Sequence, residues 1–320
     1  MVANNGIHRI DTDFYGRTNA IYIIAGDEHS ILVDTGIAST PGEYLKPYLD
    51  EHPLAAPVDY VVNTHADLDH VGGNRAAAEM FPDSKQICHV LDQEWIDDFD
   101  RLIDERYDEY AELGIAETDD SKAFLRTITA SKPTDTAVQG GESLELSSGW
   151  AIEILHAPGH SRGHLSLWDP ASRALVIGDA VLSDGLYMTD GSPAFPPTYR
   201  YVSDYLATID DFIARSPESL LSSHYPTMTG DAATAFLVGS RTYVERVEAA
   251  VSECLSAAND PQSLRSIIQT TAPSLGPWGE DAAMSLKFPI LGHLEAMEAR
   301  GEITRVLVAG VPCFVEAARA

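Results

Sequence analysis

Four side chains that commonly bind metals fall within a six-residue stretch: His65, Asp67, Asp69 and His70. An apolar, β-branched run at 58–63 leads into them, and Val71-Gly72-Gly73 follows, where glycine lets the backbone turn tightly beside a site. An isolated His or Asp is ordinarily a surface or packing residue. Four at this density, just past a predicted strand, are expected to converge on a metal. Three later segments add to them. Pro158-Gly159-His160 holds His160 in a loop stiffened by its neighbours. Val176-Ile177-Gly178-Asp179 ends an apolar run on Asp179, and Ser222-Ser223-His224-Tyr225 puts His224 after another. Each falls at or past a strand end, where loops on a rigid scaffold commonly carry function. His8, His29, His52, His89, His156 and His293 have no such neighbours and are expected on the surface or in packing. His164 is expected to hydrogen-bond its own loop.

The elements that must hold these residues alternate between strand and helix. The pattern predicts strands at 18–25, 30–33, 58–63 and 85–90, with helices at 42–52 and 74–81 between them, an α/β layout. Residues 94–130 are charged and helical in pattern; they read as an insertion, either a surface helix pair or a substrate lid. Short strands are expected at 144–146, 151–155, 164–168 and 174–177, with Asp169-Pro170-Ala171-Ser172 as the turn between the last two. Residues 183–201 read as a loop whose aromatics, Tyr187, Phe195, Tyr199 and Tyr201, line an apolar pocket or pack over the sheet edge. A helix at 201–214 and a strand at 220–223 complete a first unit, 1–230. The remainder, 231–320, reads as three helices and a terminal β-hairpin, a small winged-helix-like domain.

Taken with Asp34-Thr35-Gly36, this order of motifs resembles the metallo-β-lactamase superfamily over roughly residues 6–230. The family pattern is His-x-His-x-Asp-His, a Pro-Gly-His loop, a Gly-Asp and a late His. The resemblance implies a four-layer αβ/βα sandwich with two divalent metal ions. Site 1 would be His65, Asp67 and His160; site 2 would be Asp69, His70 and His224; Asp179 would bridge them. One position departs from the pattern, because Asp67 stands where the family has its second His. Carboxylate is a harder ligand than imidazole, so zinc, the expected metal, meets competition there from iron or manganese. The other reading is that Asp67 leaves the metal and site 1 is weak or empty.

Two ions about 3.5–4 Å apart would share a hydroxide that attacks a carbonyl or phosphoryl centre. Asp69 would also orient that nucleophile. No general acid stands out, and Tyr225, next to a ligand, reads as structural. The expected activity is hydrolysis of a small ester, thioester, lactone or related substrate. Alternatives are an iron-dependent oxidoreductase of the same fold, a nuclease-like phosphodiesterase and a non-catalytic binding protein.

Composition bears on partners. The chain has 320 residues with 49 acidic and 21 basic, a formal net charge of −28. A field of that sign repels nucleic acid and anionic membrane. Scarce lysine with abundant Asp and Glu also fits a salt-adapted host. Residues 231–320 carry 11 acidic and 7 basic side chains, without the basic excess of a nucleic-acid reader. That tail is expected to pack on the core, shape the pocket or form a homodimer. Cys88, Cys254 and Cys313 are widely spaced and odd in number, which predicts no disulfide framework and a reducing cytoplasm. Neither a signal peptide nor a membrane span is expected from the sequence.

Overall fold

The structure is a computed structural model and describes residues 2–3 and 6–317. Seven strands form the first sheet in chain order: β1 (Val2–Ala3), β2 (Ile7–Phe14), β3 (Arg17–Ala25), β4 (Ser30–Val33), β5 (Val58–Val62), β6 (Lys85–His89) and β7 (Thr136–Val138). Pairing is antiparallel from β1 to β4 and parallel from β4 to β7. The next strands are β8 (Ser143–Ser147), β9 (Trp150–His156), β10 (Leu165–Asp169) and β11 (Ala174–Gly178). After them come a small hairpin, β12 (Leu186–Tyr187) and β13 (Pro193–Phe195), then β14 (Ser219–Ser222) and β15 (Met228–Thr229). All but the hairpin join a second sheet in the order β15-β14-β11-β10-β9-β8.

The continuous apolar runs have a physical reason. Successive strand residues point to opposite faces, so a strand covered on both sides must be apolar throughout. In β3, Tyr22 and Ile24 face the second sheet, where they meet Ile152, Ile154, Leu165 and Val176. Ile21 and Ile23 face the other way, onto Leu45 and Ala77 from the helical segments at 41–51 and 74–80. On the second sheet, Leu175, Ile177 and Leu220 pack outward against Ile209 and Phe212 of the helix Val202–Arg215. Helix, sheet, sheet, helix is the four-layer αβ/βα sandwich the motif resemblance implies.

The helices of the tail are Asp231–Ala257, Leu264–Leu275 and Lys287–Ala299. A three-stranded sheet accompanies them, with β16 (Gln262–Ser263), β17 (Ile303–Val308) and β18 (Val311–Glu316) in the order β16-β18-β17. Their buried side chains belong to the same apolar cluster as the helix Val202–Arg215 and as Tyr110, Leu113 and Ile115. The core is therefore continuous across residue 230.

Two segments differ from their sequence expectation. The 183–201 stretch contains the β12–β13 hairpin rather than loop alone. The 94–130 insertion is a chain of short helices, Gln93–Asp97, Phe99–Leu102 and Asp119–Thr127, with a π turn at Ile103–Tyr107 and a 3-10 turn at Ala111–Leu113. Asp98 starts one of them by accepting the backbone N–H groups of Asp100 and Arg101, which breaks the run a uniform pattern suggests.

Candidate metal centre

All seven predicted ligands come together at one end of the two sheets. β5 delivers His65 and the segment after it; the loop before β10 brings His160; Asp179 directly follows β11, and His224 lies two residues past β14. Gly178 has φ +51, and a Cβ there would stand 2.9 Å from Thr64 Oγ1, so glycine lets β11 pass this close to His65. Gly159, at φ +137, sits where a Cβ would lie 2.5 Å from Tyr205 Cα.

Three groups of donor atoms result: His65, Asp67 and His160; His65, His70 and Asp179; and Asp69, His70 and His224. Asp67 Oδ2 lies 2.8 Å from His160 Nε2 and 3.5 Å from His65 Nε2. Asp179 Oδ2 lies 3.1 Å from His224 Nε2 and 3.6 Å from His70 Nε2. Asp69 Oδ2 is 3.7 Å from His224 Nε2. Asp179 thus stands between the two halves.

The imidazoles are oriented from behind. Asp34, in the left-handed region at φ +60, accepts the Thr64 backbone N–H at 2.7 Å and the Thr64 hydroxyl at 2.8 Å. It also accepts His70 Nδ1–H at 2.8 Å. Since the Thr64 hydroxyl donates to Asp34, its oxygen accepts from His65 Nδ1 at 2.9 Å. His224 Nδ1 donates to the Thr18 carbonyl at 2.9 Å. These three rings therefore turn Nε2 into the centre in the tautomer a metal requires. The buried His65 Nε2, His70 Nε2 and Asp179 Oδ1 have no hydrogen-bond partner, and unpaired buried polar atoms are costly. A divalent cation satisfies them, and the N/O donor set suits one.

The field agrees. Burial pushes the Asp179 carboxyl up, but His224 and His70 outweigh it and hold it well below the usual range. Burial pushes His70 down, yet Asp179, Asp69 and Asp34 raise it well above the ordinary imidazole. Three carboxylates around one ring favour whatever positive charge occupies that spot.

Asp67 has partners that sequence reasoning missed. Arg106 takes its carboxylate in a fork, Nε to Oδ1 at 2.5 Å and Nη2 to Oδ2 at 2.9 Å, and Tyr107 donates to Oδ1 at 3.3 Å. Burial raises the Asp67 carboxyl, but the Arg106 guanidinium more than reverses this and holds it well below the usual range. Both partners stand on the π turn of the insertion, a kind of turn often found at functional sites. The sequence offered little signal, since Arg106 shares the acid-rich 94–130 stretch with Arg101, Lys122 and Arg126. The roles of Asp34 and Thr64 were also missed, although Asp34-Thr35-Gly36 marked the place.

His164 and Tyr225 stand outside the donor groups, but the His164 ring bonds beyond its own loop, contrary to the expectation. His164 Nε2 accepts the Asp179 backbone N–H at 3.2 Å. The Tyr225 hydroxyl lies 2.6 Å from the Leu182 carbonyl oxygen and 2.7 Å from that of Gly185.

The centre opens into a cavity of about 250 Å³ with Asp67, Asp69, Asp179 and His224 at its polar end. Phe124, Leu125 and Ile128 of the insertion, Leu186 and Phe195 of the hairpin, and Phe288 of the tail form much of the remaining wall, where Glu117 and Lys287 also stand. Of the loop aromatics, only Phe195 lines it. Tyr199 is buried against Tyr205, and Tyr201 lies under Arg162 and Arg200. Hollows near Phe81 and near Trp278 contain none of the converging donor groups.

Comparison with known proteins places this arrangement in context. The model of the metallo-beta-lactamase superfamily matches residues 15–224. A human acyl-coenzyme A thioesterase, MBLAC2, is 27% identical over 237 residues, 69% of this chain and 77% of its own length. A hydroxyacylglutathione hydrolase of Synechococcus is 26% identical over 55% of each chain. A beta-lactamase domain protein from Burkholderia ambifaria has the same fold, with TM-score 0.76 at 18% identity over 99% of this chain and 93% of that one. A metallo-beta-lactamase family protein from Thermus thermophilus superposes with TM-score 0.70 at 18% identity, covering 97% of this chain and 98% of that one.

Proposed function

This chain belongs to the metallo-beta-lactamase superfamily and is a metallo-hydrolase, and from that premise we propose that it cleaves a small thioester with an apolar acyl group. The carrying observation is the convergence of His65, Asp67, Asp69, His70, His160, Asp179 and His224, four of which (Asp67, Asp69, Asp179 and His224) face a cavity walled by Phe124, Leu125, Phe195 and Phe288. The apolar walls suit an acyl chain, and the donor cluster suits the reacting carbonyl.

Divalent metal held there, with zinc as our reading, supplies Lewis acidity for the carbonyl and lowers the pKa of water. His65, Asp67 and His160 would hold one ion, Asp69, His70 and His224 the other, with Asp179 between them. Asp69 is partly open to the cavity. It can accept a hydrogen bond from an incoming water and orient its lone pair toward the carbonyl. Water passes one proton to the Asp69 carboxylate as its oxygen bonds to the acyl carbon, the carbon–sulfur bond breaks with its electron pair on sulfur, and the carboxylic acid so formed releases its remaining proton to solvent, leaving a carboxylate and a thiolate.

Among the described residues no free acid stands beside the cluster, which favours a thioester over an ester. Tyr107 is bound to Asp67, and the Lys287 ammonium is held by Glu117 at 2.9 Å. A thiolate leaves without prior protonation, since thiols ionise near pH 8.5; an alkoxide does not leave so readily. The acidic surface and the tail over 231–320, which we take as a unit of its own that shares its core with residues 1–230, support a small-molecule partner over nucleic acid. Lys287 and Phe288 let that tail close one side of the pocket.

The test is turnover of short and medium acyl thioesters, matched oxygen esters and lactones by the metal-reconstituted protein. Thioesterase activity removed by chelator and by Asp179→Ala is the expected result. Activity indifferent to both would reject the reading, and a lactone or ester preference would replace the substrate.

A further inference from the structure

Arg106 brings a permanent positive charge into hydrogen-bond contact with one metal position, whereas at the other Arg17 lies within reach of the Asp69 charge without forming an ion pair with it among the described residues. Its Nη2 lies 2.9 Å from Asp67 Oδ2 and 3.2 Å from His160 Nε2. Those atoms are two of the three donors in the group His65, Asp67 and His160. Arg106 is only 3% exposed and its guanidinium stands against the rings of Trp95 and Phe288, so packing holds it in place. Arginine does not deprotonate in proteins, so it cannot give way by losing its charge. Asp67 and Arg106 together are electrically neutral. An ion entering this position therefore meets a carboxylate whose charge is already compensated and a guanidinium that repels it. The other position differs: among the described residues, the ion pairs of Asp69 and Asp179 are with His70 and His224 alone.

We infer that Arg106 makes the two metal positions unequal, so that the first ion binds among Asp69, His70, Asp179 and His224 and Arg106 opposes a second ion at His65, Asp67 and His160. The Asp67 that departs from the family's motif and the Arg106 that pairs with it then act as one device, which turns a paired centre into one strong position and one weak position. The inference rests on reading the cluster as a metal centre but does not depend on the substrate cleaved.

The experiment titrates metal-free protein with zinc against a chromophoric chelator and locates the ions by anomalous scattering. The wild type should take one ion per chain on the Asp69 side, with any second ion weaker by about 100-fold or more, the scale of disturbing a buried ion pair. Arg106→Gln, checked for folding by circular dichroism, should bring the second affinity to within about tenfold of the first. Arg106→Lys, which keeps the charge but loses the fork, should leave the positions unequal. Two ions of equal affinity in the wild type would overturn the inference, as would a first ion among His65, Asp67 and His160. Loss of zinc in Arg106→Gln would also overturn it, because Arg106 would then be positioning Asp67 for metal. Should Arg106→Gln not fold, the order and place of binding in the wild type decide the question. Wild-type protein that takes no zinc at all would overturn both this inference and the hydrolase reading; failure on thioesters alone would leave this one standing.

Discussion

At the scale of single residues, ligand orientation depends on Asp34. One carboxylate accepts from the Thr64 N–H, the Thr64 hydroxyl and His70 Nδ1, and through the hydroxyl it also sets His65. Asparagine tolerates the left-handed backbone at this position, so Asp34→Asn isolates the charge and acceptor from the turn. Its amide has one acceptor oxygen for three donors. Zinc affinity should fall by about 10–100-fold, the usual effect of losing a partner behind a metal-bound imidazole. The chelator titration reads this directly, and unchanged affinity would show that the His70 ring is held by packing alone.

Elements rather than residues decide the pocket. The insertion, the β12–β13 hairpin and the last helix each contribute wall residues, so substrate size is set where three separate segments meet. Phe124 is 44% exposed and can lose its ring without opening a core. Phe124→Ala should raise KM for a medium-chain acyl thioester roughly fivefold, for about 1 kcal/mol of lost apolar contact, with kcat kept. Steady-state kinetics on two chain lengths checks this: a fall in kcat alone would place the ring in the chemistry. The same segments are tied by Arg200, which donates to Glu109 of the insertion at 3.1 Å and grips Glu295 of the last helix at 2.7 and 2.9 Å. Arg200→Ala leaves this network broken. Because Glu295 is nearly half exposed, the cost should be about 2 kcal/mol rather than that of a dry pair. Urea unfolding measures it, and a change below about 0.5 kcal/mol would make the tie ornamental.

For the whole molecule the governing quantity is a net charge of −28 over 320 residues. At most 21 of the 49 acids can be matched by a Lys or Arg, which leaves more than half uncompensated. Self-repulsion destabilises the compact state, and salt screens it. The thermal midpoint should therefore rise from low to molar sodium chloride; a flat or falling midpoint would reject salt adaptation. The same field predicts no measurable DNA or RNA binding at physiological salt, which an anisotropy titration checks. Among the described residues no helix is long and apolar enough to cross a membrane.

The sequence by itself determined the donor types, their order and the layered α/β frame. Those are local properties: a ligand must be a particular group, and a strand buried on both faces must be apolar, so β3, β5 and β11 are visible as apolar runs, the last two leading into His or Asp. The tertiary structure alone decided what stands behind and beside the donors. Arg106 meets Asp67 across 39 positions, and Lys287 reaches Glu117 across 170. Neither contact leaves a periodicity or spacing in the chain, because each depends on how the insertion and the tail settle on the sheets. Asp67 illustrates both halves. Its type and place mark an unusual metal position, and only folding brings the guanidinium that determines its charge.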